Sequence, residues 1–234
     1  MHGIAYPPLI KGVLIKRHKR FLAEIALSTG KHITAHCPNS GSMLECSEAG
    51  RTVYVSRRDN PKRKLKYSWE LIEMPASLVG IDTLTPNRLV KAATESGRIE
   101  ELKEYSRVEP EIKAGDRSRL DFLLRTPRGD CCYIEVKNCT LVNNGIAQFP
   151  DAVTARGLKH LHELASLMRA GHRCIMFYLV QRMDAVRFMP ADTIDSAYAA
   201  ALRASYRNGL EILIYDVNIN LQGVELRNRI PYTL

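Results

Sequence analysis

In the segment SRLDFLLRTPRGDCCYIEVKN, residues 118–138, three charged side chains, Asp121, Glu135 and Lys137, interrupt two runs that otherwise read as buried strands. Side chains alternate across a sheet, so Glu135 and Lys137 leave the same face of one strand while Val136 leaves the other. If the TPRGD turn closes the two runs into an antiparallel hairpin centred near residue 128, opposed residues sum to about 256 and Asp121 lies across from Glu135. Two carboxylates on a rigid strand pair supply hard oxygen ligands for Mg²⁺, which keeps waters and phosphate oxygens as its other ligands. A metal so held neutralises charge developing at phosphorus and acidifies a bound water. Lys137 beside it could orient that water or stabilise an oxyanion. The chemistry this set fits is hydrolysis of a phosphodiester. The competing reading is an edge hairpin whose three charges neutralise one another in solvent. The apolar neighbours Phe122, Leu123, Leu124, Ile134 and Val136 argue for a central hairpin, where an unpaired charge is costly.

Such a site needs a frame. Strands are expected at about 105–112, 118–126 and 130–138, then a helix at 151–170 ended by Gly171 and a strand at 173–181. A helix at 191–207 ended by Gly209 and strands at 210–217 and 222–227 follow. Upstream, Thr85 is placed to cap a helix with Pro86 at its first position, and Leu89, Val90, Ala93 and Ile99 recur at helical spacing. The order α-β-β-β-α-β, then α and β, predicts a mixed α/β domain over residues 83–234. On its second helix Asp151 is positioned to accept from first-turn N–H groups. Arg156, Lys159 and His160, at i, i+3 and i+4, form one basic patch, either exposed or turned toward the carboxylate site, that could hold a phosphate or be an ordinary solvated face.

Residues 1–82 have a different rhythm. LIKGVLIKRH, FLAEIAL, KHITAHC, TVYVSRR and KYSWELIEM are five short β segments with turn signals between them. They predict a small barrel of the OB type, which offers one face and its loops to oligonucleotides; an SH3-like barrel patterns similarly. The chain as a whole is therefore α/β, with an N-terminal five-stranded OB-type β-barrel. Net charge is +9, and residues 1–80 hold 13 Lys and Arg against 6 Asp and Glu. A basic excess gathered in one region points to a polyanion, because cations that neutralise phosphates release condensed counterions. RRDNPKRKLKYSW sets Arg57, Arg58, Lys62, Arg63, Lys64 and Lys66 beside Tyr67 and Trp69, cations for phosphates next to rings that stack on bases. The connection PNSGSMLECSEAG, residues 38–50, could hold an anion on exposed N–H groups or serve as an ordinary polar loop.

Other classes are disfavoured. No apolar run is long enough to cross a membrane, and prolines and charges stand where a secretory signal needs a continuous apolar stretch, so a soluble cytoplasmic protein is expected. The six cysteines form no CxxC pair and suggest neither a disulfide framework nor a zinc knuckle. No helix-turn-helix or zinc-finger signature supports sequence-specific DNA reading. DNA is the expected partner, with no membrane and no small-molecule substrate implied.

The arrangement of Asp121, Glu135 and Lys137 resembles the PD-(D/E)XK nuclease superfamily, whose core also runs α-β-β-β-α-β with Asp on the second strand and Glu-x-Lys on the third; Leu120 stands where that motif has proline. Taken in order, HCPNSGSM, RRDNPKRKLKYSWELI, TPNRLVKAA, SRLDFLL, YIEVKNCTL and FPDAVTARGLKHLHEL closely resemble the bacterial sugar fermentation stimulation protein A family over nearly the full length. The resemblance implies an OB-fold domain joined to a PD-(D/E)XK nuclease-like domain, DNA binding without marked sequence preference, and a regulatory link to sugar utilisation such as maltose. It also implies Mg²⁺ or Mn²⁺ on Asp121, Glu135 and the main-chain carbonyl of Val136. Many relatives carry a glutamate shortly after NRLV, where this chain has Lys91 and Ala92; Glu95, one turn later, is the candidate outer ligand in its place.

Overall fold

The computed structural model describes residues 3–113 and 119–234; residue 118, where a strand is expected to begin, lies outside them. The first part of the chain forms β1 (Ile4–Ala5), β2 (Leu9–His18), β3 (Leu22–Leu27), β4 (His32–His36), β5 (Thr52–Arg57), β6 (Tyr67–Met74) and β7 (Ser77–Gly80). Strands β2 to β6 are the five segments expected from the alternation. They pair in the order β4-β3-β2-β5-β6, and a parallel bridge from His36 to Ser68 joins β4 to β6 and closes an OB-type barrel. Closure removes the bare edges a small sheet would otherwise present. Leu14, Ile25, Val53, Val55, Trp69 and Ile72 fill the interior.

The remainder forms α1 (Thr85–Glu95), a 3₁₀ turn (Glu100–Leu102), β8 (Arg107–Lys113), β9 (Arg119–Arg125), β10 (Cys131–Cys139), β11 (Leu141–Asn143), β12 (Ile146–Phe149), α2 (Ala155–Arg169), β13 (Arg173–Val180), β14 (Arg187–Pro190), α3 (Ser196–Arg207), β15 (Glu211–Ile219) and β16 (Gly223–Arg229). The main sheet runs β1-β16-β15-β13-β10-β9-β8. Its centre, β10, β13 and β15, is parallel and is crossed over by α2 and α3, while the flanking pairs are antiparallel. This is a restriction-endonuclease-like α/β unit. A central strand has no solvent face, so both faces of β10 must be covered. Ile134 and Val136 pack toward Leu89, Val90 and Ala93 of α1. On the opposite side Leu161 and Leu164 of α2 pack with Tyr198 of α3 against Met176 and Tyr178.

Several expected boundaries move, each for a local reason. Helix α1 starts at Thr85 itself, and its N-cap is Leu84, whose N–H is taken by Asp82 Oδ1 at 2.9 Å; Thr85 is buried rather than capping. Helix α2 starts at Ala155 rather than 151, because Thr154 is the cap and accepts from Gly157 N at 3.0 Å. Asp151 is therefore not a cap. Its carboxylate accepts Met43 N of the barrel at 2.9 Å, and its carbonyl accepts Ser42 Oγ at 2.7 Å. Helix α3 begins at Ser196, where Asp195 accepts from Tyr198 N at 3.0 Å.

The 38–50 connection is a strap between the two units and not an anion cradle. Arg17 fills it from below, donating to the carbonyls of Asn39, Gly41 and Ser42 at 2.8–2.9 Å. The Gly41 N–H is taken by Asn39 Oδ1 and the Met43 N–H by Asp151. Further along the junction Gly80 N donates to Gln181 O at 3.0 Å, and Met183 N donates to Ser77 Oγ at 2.9 Å. Five strands lie outside the sequence expectation: β7, which pairs antiparallel with β6, β1, which pairs antiparallel with β16, and β11, β12 and β14, which form a separate three-stranded sheet in the order β11-β12-β14. Among the described residues no helix is long and apolar enough to cross a membrane.

Candidate functional site

The hairpin register is the one the turn arithmetic predicts. Cys131 faces Arg125 and Ile134 faces Phe122, and one step further the two strands part. At that fork Asp121 replaces a ladder bond with its side chain: Oδ2 accepts Val136 N at 2.8 Å, and Oδ1 accepts Asn87 Nδ2 of α1 at 2.7 Å. Because the N–H and C=O of one strand residue leave the same edge, the Val136 carbonyl also points into the fork.

Glu135 and Lys137 leave the other face of β10 from Val136, toward α2. Lys137 Nζ donates to Glu135 Oε1 at 2.6 Å. His160 of α2 meets the same oxygen through Nδ1, and its Nδ1 lies 3.2 Å from Lys137 Nζ. The Glu135 and His160 side chains are 3% and 4% exposed, so this is a buried cluster. Helix α2 packs close against α3 at residue 157, a glycine: a Cβ there would lie 2.8 Å from Thr154 Cγ2 and 3.1 Å from Tyr198 of α3.

The two carboxyls respond in opposite directions. Burial pushes the Asp121 carboxyl up, and the neighbouring Glu135 charge adds to it, more than the Val136 and Asn87 hydrogen bonds offset. Burial would push Glu135 up as well, but the His160 hydrogen bond and the Lys137 charge outweigh it and hold that carboxyl below its usual range. Glu135 is thus ionised beside an Asp121 that feels its repulsion.

Among the described residues no group of three or more His, Cys, Asp or Glu is assembled to hold a metal. The oxygens at the fork nevertheless fit a hard divalent cation. Glu135 Oε2 is buried with no hydrogen-bond partner, an arrangement that costs free energy unless a cation or water fills it. Asp121 and the Val136 carbonyl supply further oxygen donors of the kind Mg²⁺ and Mn²⁺ take.

The other expected residues divide. Glu95 is not brought to the site; it is exposed, pairs with Lys91 at 3.7 Å, and lies two turns along α1 from Asn87, the residue of that helix that touches Asp121. His160 does not join Arg156 and Lys159 in a surface patch. Arg156 is exposed and Lys159 pairs with Glu163 at 3.7 Å, while His160 belongs to the buried stripe of Gly157, Leu161 and Leu164. Trp69 is no stacking platform: it is fully buried in the barrel and donates to Leu71 O at 2.9 Å. Tyr67 packs half-buried against the same core.

Lys62, Lys64 and Lys66 are exposed on the β5–β6 loop, and Arg57 at its start is exposed beside Asp59. Arg58 binds buried Glu70 at 2.8 Å, and Arg63 donates to Ser68 Oγ at 3.2 Å. With His36 and Arg88 these three arginines line a cleft of about 600 Å³ between the barrel and α1. Asn87 missed notice in the sequence although it is three residues before Val90, on the helix face that meets the sheet. His160, expected as part of the basic patch, stands four before Leu164, at the spacing of a buried stripe.

An OB-type barrel joined to a restriction-endonuclease-like domain with Asp, Glu-x-Lys at the fork of its central strands defines the class. The chain belongs to the sugar fermentation stimulation protein family. The family's N-terminal OB domain matches residues 15–81, and its RE domain matches residues 84–223. The sugar fermentation stimulation protein homolog of Geotalea daltonii is 48% identical, covering 97% of this chain and 98% of its own. The homolog of Ruegeria sp. is 49% identical over 96% and 97%. The solved structure of Pyrococcus furiosus SfsA in complex with Ca²⁺ superposes on all of both chains with a TM-score of 0.91 at 23% identity, so the whole fold is shared.

Proposed function

We propose that this protein binds DNA by its backbone, with little regard for base sequence, and that the fork between β9 and β10 is a divalent-metal centre that hydrolyses phosphodiester bonds. The observation that carries the reading is the pair of neighbouring carboxylates, half-buried Asp121 and buried Glu135, with Glu135 Oε2 left unpaired and Lys137 alongside. Asp121, Glu135 and the Val136 carbonyl would hold the ion. Mg²⁺ or Mn²⁺ bound there would stabilise charge at phosphorus and acidify a water. That a relative is known as a Ca²⁺ complex favours a hard cation here too.

The chain's own groups do the rest. Asn87 and the Val136 N–H fix Asp121, so no reorganisation is needed when substrate arrives. Lys137, held at Glu135, is placed to orient a water or to stabilise the oxyanion that forms. Arg57, Arg58, Arg63 and Arg88 line a cleft that they share with Asp59, Glu70 and Asp82, and the exposed lysines of the β5–β6 loop add further cations on the barrel. Contacts of this kind go to phosphates and carry no base information.

A second reading, a DNA-binding scaffold without turnover, is favoured by one observation: α1 offers Asn87, a neutral amide, to Asp121 where a third carboxylate would strengthen metal binding. A regulatory role in sugar utilisation such as maltose would belong to this reading, and it rests on the family alone. Calorimetric titration of Mg²⁺ and Mn²⁺ into the protein and its Asp121→Ala variant, followed by incubation with plasmid and single-stranded circular DNA, separates the two. Metal binding lost in the variant together with metal-dependent cleavage supports the nuclease; salt-sensitive DNA binding without metal binding or cleavage supports the scaffold.

A further inference from the structure

We propose that His160 is the positioning residue of this centre: it ties down Glu135 Oε1 from α2, so that Oε2 alone is presented toward the cation. The inference rests on the metal-centre reading and goes beyond it by assigning the two oxygens of one carboxylate to different tasks. The geometry assigns them. Oε1 is met by Lys137 Nζ at 2.6 Å and by His160 Nδ1, whereas Oε2 is buried and met by no protein group.

Proton counting fixes the His160 tautomer. An ionised carboxylate only accepts and an ammonium only donates. Nδ1 lies between one of each, closer to the carboxylate, so Nδ1 carries the proton and donates it to Oε1; the 3.2 Å approach of Lys137 Nζ is then a packed contact. Both donors therefore converge on Oε1. A carboxylate clamped this way cannot rotate to chelate with both oxygens, so it coordinates through one, which leaves room in the shell for water and a phosphate oxygen.

The fold shows how the clamp is set. His160 stands on the buried stripe of α2 one turn after Gly157, whose missing Cβ lets the helix approach Tyr198. A histidine that served only to fill space would not need its ring nitrogen at the carboxylate.

The test uses Mn²⁺ and the full chain. His160→Asn keeps a donor at the δ position, and His160→Leu keeps bulk without a donor. Calorimetry should show Mn²⁺ affinity within a few-fold of wild type for His160→Asn and weaker by about 10- to 100-fold for His160→Leu, the range typical of groups that orient metal ligands. Melting of both metal-free variants, followed by circular dichroism, reports whether they fold. Independently of any variant, long-range ¹H–¹⁵N correlation spectra of the wild-type protein should show His160 protonated at Nδ1. Wild-type affinity in a folded His160→Leu protein, or an unprotonated Nδ1, overturns the clamp while leaving the metal centre standing. Absence of Mn²⁺ binding in the wild type itself overturns both.

Discussion

Asn87, in the first turn of α1, donates to Oδ1 of Asp121 at 2.7 Å and is the contact through which that helix reaches the carboxylate fork. An amide there steadies the carboxylate without adding charge. Asn87→Asp would place a third anion at the fork. The metal-free variant should melt below wild type, because like charges are then crowded in a partly buried site. Saturating Mn²⁺ should raise its melting temperature by more than it raises that of wild type, since binding to the folded state stabilises by mass action. Thermal melts with EDTA and with Mn²⁺ check both halves; a smaller metal-induced shift than wild type would refute the prediction.

Asp121 carries a pH signature of the opposite sign to an ordinary paired carboxylate. Burial and the Glu135 charge hold its carboxyl above the unfolded value of about 3.9, so the folded state binds that proton more tightly. The resulting stabilisation is complete below the unfolded value and is lost as pH rises through the folded one. Asp121→Asn removes the loss and keeps an acceptor for one of its two partners. In EDTA the variant should melt a few degrees above wild type at pH 7 and converge with it toward pH 4. A variant that melts lower at pH 7 would contradict this account.

Lys137→Met separates binding from turnover. Removing a cation beside the fork lowers the repulsion felt by a metal ion, so Mn²⁺ affinity should stay equal or tighten. Metal-dependent cleavage, if Lys137 handles the water or the oxyanion, should fall by about 10²- to 10⁴-fold. Single-turnover assays at saturating metal give the rate, and undiminished cleavage would remove Lys137 from the chemistry.

On the barrel, changing Lys62, Arg63 and Lys64 together to Ala should weaken binding to all DNA sequences alike. The dependence of log affinity on log salt should flatten by up to about 0.9 for each phosphate that the variant no longer neutralises. Trp69 is the single tryptophan and is buried. Its fluorescence should therefore resist quenching both by acrylamide and by bound DNA. Trp69→Ala should cost about 3–5 kcal/mol as a core cavity rather than selectively weaken DNA binding. Quenching by DNA at low occupancy would show that the ring is accessible after all.

Period and spacing made much of this molecule readable. The five barrel strands followed from alternation, and the fork followed from one turn, TPRGD, because antiparallel register is arithmetic once the turn is placed. What local pattern could not supply was which side of a helix or strand meets another element. The aromatic of KYSW looked available beside its lysines, yet the inward phase of β6 puts Trp69 in the core. Asp151 looked like a cap because it precedes a helix, but its partner is Met43, more than a hundred residues away. For Arg156, Lys159 and His160 the helical spacing left two orientations open, outward or toward the carboxylates; the packing of α2 on the sheet turns His160 inward and leaves the other two exposed.

The pairing of Ile4–Ala5 with β16 gives the barrel a topological consequence. The chain enters the main sheet first, leaves it to build the barrel, and returns at α1, so the barrel is an excursion anchored at both ends rather than a bead on a string. Two anchor points about 80 residues apart in sequence restrain swivelling far more than one linker would, since each additional tether removes orientations that a single hinge leaves open. A protease cut at residues 81–84 would sever one chain connection and leave the barrel held by the other and by the hydrogen bonds from Ser42, Met43 and Gly80 to Asp151 and Gln181. The two units would then keep one covalent tether in place of two.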